Sequence, residues 1–149
     1  MDPSDRIFVA LDTSDLDKAL ALAEGLRGLV GGVKLGQEFF TAQGPAGVDA
    51  VKALGLPVFL DLKFHDIPAT VSRAVGAALA LKPFMLNVHA SGGEAMMWAA
   101  ADAAGLADDE RPLVVAVTVL TSLWSGDLVA TGIDDNIEDQ VLRLAALAE

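Results

Sequence analysis

The stretch Val58-Phe59-Leu60-Asp61-Leu62-Lys63-Phe64-His65-Asp66-Ile67-Pro68 passes within eleven residues from an apolar run, through alternating charges, to a proline. Val58-Leu62 has the length and the near freedom from polar interruption of a strand buried on both faces. Pro68 stands where a first helical position would fall, the helical site at which proline is best tolerated. A buried strand that exits through charged residues into a helix is half of a βαβ unit. Outward from it the same pattern recurs. Four further apolar runs, Ile7-Leu11, Gly32-Leu35, Met85-Val88 and Leu113-Val117, are expected as strands. Segments of helical periodicity, Leu16-Leu26, Ala46-Leu54, Val71-Leu81, Glu94-Ala104 and Ile137-Leu147, alternate with them. Such alternation indicates an α/β fold with a parallel sheet.

Boundary signals agree with this division. Ser14, with Asp17 three residues on, is expected to cap the first helix, and Gly28, Gly55 and Gly105 are expected as left-handed stops after the first, second and fourth. No linker, low-complexity segment or charge run divides residues 1–149, so one α/β domain is expected.

Composition excludes several classes of function. With 53% hydrophobic residues the chain has a core to bury. Its 10 basic and 21 acidic residues give a net charge of −11, and no Lys/Arg cluster is present to neutralise a phosphate backbone, so nucleic acid is not an expected partner. There is no cysteine, which removes thiolate nucleophiles, disulfides and cysteine-ligated metals. The N-terminus lacks the basic-then-apolar order of a signal peptide, and the longest apolar stretch, near Val75-Leu81, stops at Lys82, short of the ~20 residues that span a bilayer. A cytoplasmic protein with no membrane partner is the expectation.

In a parallel barrel, chemistry collects at the C-terminal ends of the strands. All five exits here are polar: Asp12; Lys34; Asp61 with Lys63; Asn87 with His89; and Thr118 followed by Thr121 and Ser122. Because side chains alternate along a strand, Phe59, Asp61 and Lys63 share one face, and Leu60, Leu62 and Phe64 the other. The apolar face must pack on helices, which leaves Asp61 and Lys63 in the barrel mouth. An enclosed ion pair is a poor device for stability alone, since desolvation opposes the Coulomb gain, and it invites a functional reading. Taken singly, Asp12 also fits a helix cap and Lys34 a solvated strand end. Ser91-Gly92-Gly93 reads as a turn, His65 and His89 as hydrogen-bonded histidines rather than metal ligands, and Trp98 and Trp124 as core or loop-packing aromatics.

The Asp-x-Lys-x-x-Asp run of Asp61, Lys63 and Asp66 resembles the signature of the orotidine 5'-monophosphate decarboxylases. VALD ending at Asp12, VKLG around Lys34, NVHASGG from Asn87 and AVTVLTS from Ala116 resemble it as well, and the likeness extends from strand one to strand five. The related 3-keto-gulonate 6-phosphate decarboxylases share the Asp-x-Lys-x-x-Asp run, but are expected to carry a carboxylate where Lys34 stands and to use magnesium.

The resemblance implies a TIM (β/α)8 barrel, here with about five βα units and C-terminally truncated relative to the family; strands one and five would then be open edges. It implies decarboxylation of orotidine 5'-monophosphate to uridine 5'-monophosphate in pyrimidine synthesis, with no metal and no other cofactor. Lys34, Asp61, Lys63 and Asp66 would form an alternating charged set beneath the pyrimidine, with Lys63 as proton donor to C6. Asp12 and Lys34 would hold ribose hydroxyls, and Thr121 would contact the nucleotide. Asp66, Ile67 and Thr70 resemble residues that reach a neighbour's site, which implies a homodimer with shared active sites. Two other readings stand beside this one. A Schiff-base aldolase would use Lys63 or Lys34, against which the neighbouring carboxylates favour the charged amine. A non-catalytic subunit or fragment is the other, since the chain ends at Leu147-Ala148-Glu149, inside the fifth helical pattern with no stop signal.

Overall fold

The computed structural model describes residues 2–134 and 136–149. Its centre is one five-stranded sheet in the order β1 (Phe8–Ala10), β2 (Gly32–Gly36), β3 (Val58–Phe64), β4 (Met85–His89) and β5 (Leu113–Val117), with every neighbouring pair parallel. Each strand is followed by helix: α1 (Leu16–Leu26), α2 (Gln37–Lys52), α3 (Pro68–Ala78), α4 (Glu94–Gly105), and after β5 a short α5 (Ser125–Ala130) and α6 (Ile137–Leu147). β1 and β5 are the sheet edges, as expected.

Alternation along the strands divides the sheet into two unlike faces. Val33, Leu35, Leu60 and Leu86 are fully buried beneath the helices, where they meet Val48 and Val51 of α2, Val75 of α3 and Met96 of α4. The opposite face carries an in-register row, Ala10, Lys34, Phe59, Met85 and Leu113, crossing all five strands. It is more open: Leu113 and Val115 of the edge strand are 52% and 37% exposed. The helix-covered face holds the core, and the other face leads to the charged exits.

Local departures from the expected elements have identifiable causes. The α1 cap is Asp15, whose side chain accepts from the Lys18 N–H, while Thr13 Oγ1 accepts from the Asp15 N–H; Ser14 does not fill the role. Gly28 and Gly55 do adopt the left-handed conformation after their helices, whereas Gly105 lies inside the last turn of α4 and the reversal falls later, at Asp108. The helical segment expected from Ala46 is only the second half of α2. Gly44 (φ 60°) and Pro45 kink that helix, and the preceding turns from Gln37 place Phe39 fully in the core. Trp98 and Trp124 are not core residues but are 68% and 69% exposed. Among the described residues no helix is long and apolar enough to cross a membrane.

Leu60 sits at 0% exposure in the central strand, so Leu60→Ala should lower the unfolding free energy of the chain by about 2–5 kcal/mol through lost transfer energy and a residual cavity. Urea denaturation measures it. A midpoint unchanged from the parent would contradict the position of the core on this face.

Candidate active site

The charged groups meet where β1, β2, β3 and β4 end. Gly36 pairs with Asp61 across β2 and β3, which sets Lys34 one step back on the same face, within reach of the Asp61 carboxylate. Lys34 Nζ lies 3.1 Å from Asp61 Oδ2 and 3.4 Å from Asp12 Oδ1. Lys63 Nζ lies 2.5 Å from Asp61 Oδ1, the oxygen that also accepts from Asn87 Nδ2 at 2.7 Å. One buried carboxylate is thus held by two ammonium groups and an amide. Gly36 underlies the group, and a Cβ there would stand 3.6 Å from Lys34 Nζ.

Lys63 reaches this position by an unexpected route. Its backbone is left-handed (φ 51°), and β3 and β4 lose register between the pairs Leu60–Leu86 and Phe64–Val88, with two more residues on β3 than on β4. A bulge of this kind bends a strand and re-aims a side chain. A non-glycine residue in that region costs about 1–3 kcal/mol and persists only when its surroundings hold it there. The Lys63 N–H, lost to the regular ladder, donates to Asn87 Oδ1 at 2.7 Å.

The electrostatics follow from these contacts. Burial opposes ionisation of Asp61, but hydrogen bonds from Lys63, Asn87 and Lys34, with the Lys34 charge, outweigh it and hold the carboxyl below its ordinary 3.8. His89 packs ring to ring on His65 with centroids 5.3 Å apart. Its burial, then the charges of His65 and Lys63, lower its pKa from 6.5, with Asp61 opposing. Among the described residues the two imidazoles meet each other rather than the separate hydrogen-bond partners expected for them. Among the described residues no group of three His, Asp or Glu side chains is placed to hold a metal.

Of the residues expected at the site, Asp12, Lys34, Asp61 and Lys63 come together. Asp66 does not join them within the chain: it is exposed, and its carboxylate accepts from the Ile67 N–H at 2.7 Å. Ile67, 65% exposed, and the half-buried Thr70 begin α3 beyond the cluster, and Thr121 is exposed in the loop leaving β5. Asn87 is the site member that strand-exit polarity marked without indicating its task.

The sequence model of the orotidine 5'-phosphate decarboxylase / HUMPS family matches residues 5–149. The chain belongs to this family. Among its orotidine 5'-phosphate decarboxylases, that of Paramagnetospirillum magneticum is 51% identical over 150 residues, covering 96% of this chain and 63% of the relative. That of Sphingopyxis alaskensis is 54% identical over 142 residues, covering 95% and 62%. The crystal structure of orotidine 5'-phosphate decarboxylase from Lactobacillus acidophilus is 32% identical and superposes with a TM-score of 0.84 over 95% of this chain and 66% of that one. The chain therefore spans less than two thirds of the length of these relatives. The described residues form five βα units, where the family's barrel has eight.

The depressed His89 pKa has a stability consequence. The unfolded chain takes up its proton first as pH falls below 6.5, so the His89 contribution is present above that pH and is lost as pH drops toward the folded value. Because the Lys63 charge contributes to the depression, Lys63→Met should raise the His89 titration midpoint toward 6.5, read from its ring carbon resonance by NMR. A midpoint that stays in place or falls would contradict the arrangement.

Proposed function

We propose that this chain carries the chemical part of an orotidine 5'-monophosphate decarboxylase and forms uridine 5'-monophosphate for pyrimidine synthesis without a cofactor. The observation that carries this reading is the Lys34–Asp61–Lys63 array at the strand exits of a chain in this family. As the bond from pyrimidine C6 to the carboxylate breaks, carbon dioxide leaves and the electron pair stays on C6. The Lys63 ammonium stabilises that developing carbanion and gives C6 its proton; solvent restores the proton to the amine. The ionised Asp61 lies against the ammonium groups of both lysines and faces the departing carboxylate. Lys34 and Asp12 hold ribose hydroxyls, and Thr121 contacts the nucleotide from the β5 loop.

The same pairing speaks against a Schiff-base aldolase, which needs a neutral lysine, whereas Lys34 and Lys63 both lie on one carboxylate. Lys34 also stands where the sugar-phosphate decarboxylases are expected to carry an acid.

Two assemblies complete the reading. Asp66, Ile67 and Thr70 serve the site of a second copy in a homodimer; the exposure of Ile67 and the separation of Asp66 from its own cluster support this. In phosphate-binding barrels the phosphate is commonly gripped by loops after strands seven and eight, and such remote contacts supply binding energy used at the reacting centre. The five strands described here do not include those loops.

The test follows loss of orotidine monophosphate by the purified chain, alone and with a separately made fragment carrying the last three βα units of the Paramagnetospirillum magneticum relative. Turnover should appear only in the mixture. Lys63→Ala and Asp66→Asn should each lower it by several orders of magnitude, and the two variants combined should recover part of it through hybrid dimers. Retention of activity within about tenfold by Lys63→Ala would sink the proton-donor role. Hybrid dimers as inactive as their parents would sink the shared site, and appreciable turnover by the monodisperse chain alone would sink the requirement for the further units.

A further inference from the structure

We infer that Asn87 is a positioning residue: its side-chain amide replaces the missing rung of the β3–β4 ladder, so that one group fixes both the bulged backbone of Lys63 and the carboxylate of Asp61. The inference rests on the decarboxylase reading for what Lys63 and Asp61 do, but not for how they are held.

The geometry admits only one orientation of the amide. A backbone N–H can only donate, and an ionised carboxylate can only accept. Asn87 Oδ1 therefore receives the Lys63 N–H and Asn87 Nδ2 donates to Asp61 Oδ1, each at 2.7 Å. Both bonds are shielded from water, since Asn87 is 2% exposed. Asn87 stands one residue beyond the Leu60–Leu86 pair, where the β3–β4 ladder lapses, while its own backbone stays in register with Val115 of β5. The rigid strand β4 thus supplies the reference for the irregular part of β3.

Neither bond is redundant. Without the acceptor, the Lys63 N–H is unpaired in a partly buried bulge, and the left-handed backbone that aims its side chain loses its tie. Without the donor, Asp61 keeps the two ammonium groups but loses the contact that fixes the rotation of its carboxylate. Asparagine is the short side chain that offers both functions. Aspartate of nearly the same shape offers only the acceptor, and leucine of similar size offers neither.

These differences make the inference testable in the chain itself by NMR, with no dependence on turnover. Asn87→Leu should speed hydrogen exchange at the Lys63 amide by about tenfold or more while the Leu86 and Val88 amides keep their parental rates. It should also raise the Asp61 titration midpoint. Asn87→Asp should preserve Lys63 amide protection but raise the Asp61 midpoint, a separation that general loosening of the strand would not produce. In the mixture with the last three βα units, Asn87→Leu should lower kcat on the order of a hundredfold, as for a reacting group misplaced by about 1 Å, with a much smaller change in KM. Unchanged Lys63 exchange in Asn87→Leu would overturn the inference. Should that variant fail to fold, an unmoved Asp61 midpoint in Asn87→Asp would do the same. Absence of turnover in the parent mixture would count against the decarboxylase reading alone, with the positioning role still decided by exchange and titration.

Discussion

A carboxylate withdrawn from water remains ionised only if cations and donors replace its hydration, and at Asp61 the replacements come from three different strands. Lys34 arrives from β2, Lys63 from β3 itself and Asn87 from β4. No local segment could assemble that set. It requires the parallel register that places Gly36 opposite Asp61, and the bulge that turns Lys63 back toward its neighbour two residues earlier. The charge pattern and the sheet geometry are therefore one constraint: a slip of one residue in β2 would send Lys34 to the helix side and leave a buried carboxylate short of a cation.

Stability and chemistry use opposite faces of the same strands. Leu60 and Asp61 are adjacent in sequence, yet one is sealed beneath the helices and the other faces the charged exit. The helix-covered face is closed by its own chain. The opposite face, with Leu113 and Val115 open at the edge strand, has the apolar character of a barrel interior. This asymmetry agrees with a chain that spans less than two thirds of its relatives and holds five of the βα units of the barrel.

Much of this could be read from the residues alone, for physical reasons that also mark where reading stops. Buried strands such as Val58-Leu62 and amphipathic helices such as Leu16-Leu26 and Ile137-Leu147 declare themselves by apolar run and period, and these two helices have the expected bounds. The first turns of α2 did not, because Gly44-Pro45 presents a start signal in mid-helix. Ser14 and Asp15 are adjacent caps of equal chemistry, and only backbone geometry chooses Asp15. Alternation put Asp61 and Lys63 on one face and so anticipated their contact, but not the left-handed backbone that achieves it. The partnership of Asn87 with both depends on a ladder defect that strand periodicity does not encode. Asp66, three residues from Lys63, lies outside the cluster because the chain has by then left the strand for α3. Trp98 and Trp124 show the limit of residue type as a guide to burial, since both lie largely in solvent.

Asp61 is an ionised hub, stabilised by Lys34, Lys63 and Asn87 against the cost of its burial. Carbon-detected NMR of the side-chain carboxyl across an acid titration of the chain measures this directly. The midpoint should lie below the ordinary 3.8, with the carboxylate still charged when exposed acids have begun to protonate. A midpoint at or above 3.8 would mean that burial outweighs the surrounding donors, and would contradict it.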